Sequence, residues 1–130
     1  MDVVLTLSSE QIQLIKEGKK TMEVRKTDPL FFNPQQDKIY LCEKETGEVV
    51  GYMVVNLTIR TKNKYAVLTD WSKDICVPIK ELENYVRNAK YLYVYVIDYY
   101  HEFAEPLSLK QHLKVSRVPP TFAYTPGYKE

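Results

Sequence analysis

The chain is 130 residues long, the size of one domain, and 45% of it is apolar against 27% charged, which excludes a disordered tail and gives enough apolar material for one core. Eighteen Lys and Arg face seventeen Asp and Glu, a formal net charge of +1, so bulk charge does not announce a nucleic-acid binder in the way a strongly basic domain would. No apolar run reaches about 18 residues, which argues for a soluble globular protein with no membrane partner.

The chain opens Met1-Asp2-Val3-Val4-Leu5-Thr6-Leu7 with no basic region before the apolar stretch and no small-residue cleavage site. This is not a signal-peptide pattern, and a cytoplasmic location is expected. Ser8-Ser9-Glu10-Gln11 has the form of a capping box, in which the Ser8 hydroxyl accepts from the Gln11 amide while the Gln11 side chain reaches back to the cap. Ile12, Leu14 and Ile15 supply a short apolar face, and Gly18 stands where a left-handed stop is wanted, which predicts a helix from Ser9 to Glu17.

Thr21-Met22-Glu23-Val24-Arg25 then alternates polar and apolar. A strand would send Met22 and Val24 to the core and Thr21, Glu23 and Arg25 to the opposite face. After a loop through Pro29 and residues 33–37, strands are predicted over Lys38 to Lys44 and Val49 to Thr61, joined by a Glu45-Thr46-Gly47-Glu48 turn. The second is long, and Gly51 within it marks a bend or bulge of the kind a curved sheet requires. Pro78 opens a helix whose apolar residues Ile79, Leu82, Tyr85 and Val86 follow helical spacing. Lys90 to Phe103 reads as a strand with Leu92, Val94 and Val96 on one side and Tyr91, Tyr93, Tyr95, Ile97 and Tyr99 on the other. A short helix over Ser108 to Lys114 precedes an extended ending forced by Pro119 and Pro120.

Cys42 and Cys76 stand alone, as do His101 and His112, so no disulfide, metal site or cofactor is implied. The tyrosine stripe on the late strand invites a base-stacking reading, yet tyrosines are also common on half-buried strands, where the ring packs and the hydroxyl stays wet. Arg60, Lys62 and Lys64 place three cations at a strand end, suited to phosphates and equally to a solvated loop. The mixed set Lys20, Glu23 and Arg25 is more pointed: a guanidinium offers bidentate donors to a phosphate or base edge, a lysine a point charge, and a carboxylate an acceptor for an exocyclic amine.

Gly18-Lys19-Lys20-Thr21-Met22-Glu23-Val24-Arg25 resembles the G-x-K-x-x-E-x-R signature of the ASCH domain, a branch of the PUA-like superfamily. The order of elements over residues 3–125 is similar too, and the segments around Glu105-Pro106-Leu107 and Pro119 to Tyr124 resemble bacterial and prophage members. The resemblance implies an α+β fold: one ASCH (PUA-like) domain over residues 1–130, built as a PUA-like pseudobarrel of mixed, mostly antiparallel strands with two or three flanking helices. It also implies RNA binding, with Lys20, Glu23 and Arg25 as the signature's lysine, acid and arginine.

The expected partner is therefore RNA or a nucleotide-like ligand, with Lys19, Lys20, Thr21, Glu23, Arg25, Lys26, Arg60, Lys62 and Lys64 as candidate contacts. Some relatives are amidohydrolases on acetylated cytidine and others resemble ribonucleases. The amidohydrolase signature carries a threonine nucleophile where this chain has Glu23, and Thr21, about 7 Å away along a strand, is not in its place. A hydrolytic alternative would instead use Glu23 as general base beside Lys20. Removal of Lys20 and Arg25 together is expected to weaken binding and leave stability nearly intact. The sequence does not specify the oligomeric state.

Overall fold

The computed structural model describes residues 1–129. Its elements run β1 (Asp2–Leu7), α1 (Ser9–Lys16), β2 (Met22–Arg25), β3 (Ile39–Glu43), β4 (Val49–Thr61), α2 (Lys64–Leu68), α3 (Ser72–Ile75), α4 (Ile79–Val86), β5 (Leu92–Leu107), α5 (Leu109–Leu113) and β6 (Phe122–Thr125). The strands form one sheet in the order β2-β5-β4-β3-β1-β6. β1 and β3 are parallel, because α1 and β2 intervene and carry the chain back. The other neighbouring strands are antiparallel, Arg25 of β2 falling opposite Tyr93 of β5 and Arg60 of β4 opposite that same Tyr93.

The sheet curls into a half-barrel, the expected α+β pseudobarrel. Register shifts interrupt the β4–β5 ladder at three places, one between Val49 and Gly51. A Cβ at Gly51 would sit 2.4 Å from the His101 carbonyl oxygen, closer than real contacts allow, so glycine lets β5 press against β4 where the sheet bends. The curl brings the two edge strands toward each other. Arg25 Nη2 donates to the carbonyl of Thr121, one residue before β6, at 2.7 Å.

Both faces of the sheet are covered. Val3, Leu5 and Leu7 of β1, Leu41 of β3, Met53 and Val55 of β4 and Tyr95 of β5 pack with Ile12 and Ile15 of α1. On the opposite face Val24, Leu92 and Val94 meet Val67, Ile75, Leu82 and Val86 from α2, α3 and α4. Val4, Tyr40, Cys42 and Val49 meet Leu109 and Leu113 of α5. Among the described residues five helices stand where two or three were expected. The extra pair, α2 and α3, span five and four residues, too short to show a helical period; α2 is announced only by its cap, Asn63 Oδ1 accepting from the Ala66 amide at 3.1 Å. The apolar opening became β1 and the extended ending became β6, each by pairing with the other.

Candidate functional site

Gly18 closes α1 in the left-handed region, φ +76°, and the amides of Lys19 and Lys20 both donate to the Leu14 carbonyl. The turn drives Lys20 inward, leaving it 1% exposed. Its ammonium lies 3.0 Å from Glu23 Oε1 and donates to the Ile75 carbonyl. Glu23 is itself 5% exposed, and its other oxygen lies 3.2 Å from Arg25 Nη1. The three signature residues thus form one chain of ion pairs, in which each buried charge has a partner and so avoids a bare desolvation penalty.

The C-terminal end of α3 holds this arrangement. Asp74, Ile75 and Cys76 offer successive carbonyls to the Thr21 amide at 2.8 Å, to Lys20 Nζ and to Gln11 Nε2 at 2.9 Å. The capping box at Ser8 is half formed: Ser8 Oγ accepts from the Gln11 amide at 3.2 Å, but the Gln11 side chain turns to Cys76 instead of returning to the cap. That turn leaves Gln11 Oε1 buried without a protein hydrogen-bond donor.

Beside the triad lies a half-open hollow of about 240 Å³, walled by Ser8 capping α1 and Gln11 within it, Glu23 and Arg25 of β2, and Leu82 and Tyr85 of α4. Lys20 supports this wall from behind and does not line it. Burial pushes the Tyr85 phenol up from its ordinary value, with the Arg25 charge opposing, so the ring carries a neutral hydroxyl. Tyr85 Oη accepts from the Lys26 amide at 3.2 Å, and Lys26 Nζ stands 4.4 Å from the ring centroid. The hollow therefore presents the Glu23 carboxylate, the remaining N–H groups of an Arg25 guanidinium that already donates to Glu23 and Thr121, and an aromatic ring. Glu23 has given one contact from each oxygen, and a carboxylate has about four lone-pair sites to use.

Residues 5–111 match the sequence model of the ASCH domain family. The chain belongs to the ASCH domain family. Crystal structures of an ASCH protein from Zymomonas mobilis share its fold: one point variant superposes at a TM-score of 0.80, covering 95% of this chain and 87% of that one, and the parent protein at 0.79, covering 95% and 86%, each with 16% identity. The hypothetical protein PH0355 superposes at a TM-score of 0.54 with 21% identity, covering 80% of this chain and 97% of that one. No curated protein matches the chain.

Of the other candidate contacts on this ASCH domain, Lys26 does not line the hollow but lies against the ring of Tyr85, which does. Lys19 is exposed and 3.4 Å from Glu17, and Thr21 is half-buried beneath α3. Arg60, Lys62 and Lys64 do not line the hollow and gather elsewhere, around Tyr91 and the end of α4. Among the tyrosines, Tyr95 is 2% exposed and donates to Asp28 Oδ1 at 2.7 Å, while Tyr91 and Tyr93 are half-buried. Two wall residues escaped the sequence reading of the site. Gln11 was absorbed into the capping box, and Tyr85 looked like one more apolar position on α4. Cys42 is fully buried and its thiol pushed up by burial, a packed hydrophobe. Among the described residues no His, Cys, Asp and Glu cluster can hold a metal, and no helix is long and apolar enough to cross a membrane.

Proposed function

We propose that this ASCH protein binds RNA or a nucleotide, as a regulatory or RNA-processing accessory, by taking one nucleotide unit into the hollow beside Glu23. The observation that carries the reading is the convergence there of a paired carboxylate, a guanidinium and the Tyr85 ring. A base bearing an exocyclic amine supplies a donor to a remaining lone pair of Glu23, and Arg25 donates a remaining N–H to an oxygen of the ligand. A volume of about 240 Å³ falls below the roughly 300–1,000 Å³ typical of drug-sized ligands, which suits a single base.

The test is a titration of the four nucleoside monophosphates and a short single-stranded RNA into the wild type and Arg25→Lys. The lysine keeps the charge beside Glu23 and removes the fork, so binding is expected to weaken about tenfold, or about 1.4 kcal/mol. Equal affinity would overturn the reading.

The hydrolytic alternative draws on the 3.0 Å contact between Lys20 and Glu23. It has less support, because Lys20 stands behind the wall and both Glu23 oxygens already face cations. Release of product from acylated nucleosides or short RNAs, lost in Glu23→Gln, would favour it.

A further inference from the structure

Arg60, Lys62 and Lys90 all converge on one ring, their cationic centres 4.0, 5.0 and 5.8 Å from the Tyr91 centroid. Lys64 and Arg87 adjoin them, Lys64 Nζ donating to the Arg87 carbonyl at 2.7 Å. Among the described residues none of these five cations forms an ion pair with a carboxylate. The three positive charges around the ring repel one another, the face of a single tyrosine offsets that only in part, and an anion placed among them would be attracted by all three. Tyr65, 72% exposed, follows Lys64 directly and adds an open aromatic surface.

Strand register links this patch to the hollow. Arg25 and Arg60 both fall opposite Tyr93, and Tyr91 lies two residues before it, immediately ahead of β5. Two strand spacings, about 10 Å, therefore separate the Arg25 and Arg60 backbones. We infer that the Tyr91 patch is a second subsite that binds the phosphodiester backbone of a single-stranded RNA whose neighbouring nucleotide occupies the hollow. The ligand is then an oligonucleotide, and Arg60, Lys62 and Lys90 contribute its phosphate contacts while Tyr65 and Tyr91 offer faces for stacking.

This inference rests on the nucleotide reading of the hollow, and its test separates the two. A fluorescent octaribonucleotide and the nucleoside monophosphates are titrated into the wild type and into Arg60→Gln/Lys62→Gln/Lys90→Gln over a salt series. Single-strand contacts each contribute a log–log salt slope of about 0.7, so three contacts amount to about two decades of affinity between 1 M and 0.1 M salt. The triple variant is expected to bind the octamer up to about a hundredfold more weakly at 0.1 M salt, with a slope lower by about 2 and mononucleotide affinity unchanged. An unchanged octamer slope would overturn the inference and leave the hollow standing. An equal loss for mononucleotides would also overturn it, as would a wild type that holds octamer and mononucleotide equally well. A wild type that binds neither would remove both readings.

Discussion

Lys20→Met separates a buried structural charge from a surface ligand contact. Lys20 is 1% exposed, 3.0 Å from Glu23 Oε1 and hydrogen-bonded to the Ile75 carbonyl. Methionine fills much of the same space and takes away the charge, leaving Glu23, 5% exposed, with Arg25 alone and the carbonyl with no donor. Breaking a buried pair by removing one partner costs about 3–5 kcal/mol. Arg25 continues to compensate part of the Glu23 charge, so the lower end, about 3 kcal/mol, is expected. At about 2.1 cal/mol/K per residue, 130 residues give an unfolding entropy near 0.27 kcal/mol/K, and Tm falls by about 11 °C.

Calorimetry on Lys20→Met, Glu23→Met and the double variant reads this directly. The double variant is expected to be less damaged than the two single effects taken together, since no lone buried carboxylate remains. A Tm loss under about 4 °C for Lys20→Met, corresponding to about 1 kcal/mol, would refute the reasoning. The expectation that Lys20 and Arg25 can be removed together at nearly full stability is overturned by the burial of Lys20.

Further outcomes follow from the packing. Burial, then the hydrogen bond to Asp28, push the Tyr95 phenol well up; burial, then the Glu102 and Glu43 charges, push Tyr100 up to about 12, and burial pushes Tyr85 up against the Arg25 charge. A raised folded value means that above pH of about 10 only the unfolded chain sheds these protons, so stability is full below that pH and declines as pH rises past it; Tm followed from pH 8 to 11 should fall, and a flat profile would contradict the burial. Gly51→Ala places a methyl group 2.4 Å from a backbone carbonyl that cannot rotate away, and a loss of about 1–3 kcal/mol is expected in urea unfolding, an unchanged midpoint counting against the close approach. Gln11→Leu removes the hydrogen bond that ties this wall residue to the Cys76 carbonyl; nucleotide titrations should show weaker binding, and unaltered affinity would show that Gln11 does not shape the hollow.

The signature residues were legible because Gly18 leaves few conformations at the end of α1 and period-two alternation fixes which β2 residues share a face. Their environment was not. Alternation distinguishes two faces but does not say whether the polar one meets water, and here the face carrying Glu23 looks into the half-barrel beside Tyr95, its partner on β5. Lys20 lies just before β2, where periodicity is silent, and its burial depends on the Ile75 carbonyl 55 residues away. A separation of 65 residues hid the role of Gln11, whose local capping pattern was genuine for Ser8 but whose side chain was claimed by Cys76. Gly51 was readable as a bend because a glycine inside an apolar strand has few other reasons to be there.

The central claim, that the hollow beside Glu23 takes a nucleotide, is tested most directly by amide chemical-shift mapping of isotope-labelled protein titrated with the nucleoside monophosphates and a short single-stranded RNA. Saturable shifts grouped at Ser8, Gln11, Glu23, Arg25 and Tyr85 are predicted. Absence of saturable shifts, or shifts confined to a remote face such as His101 to Leu107, would contradict it.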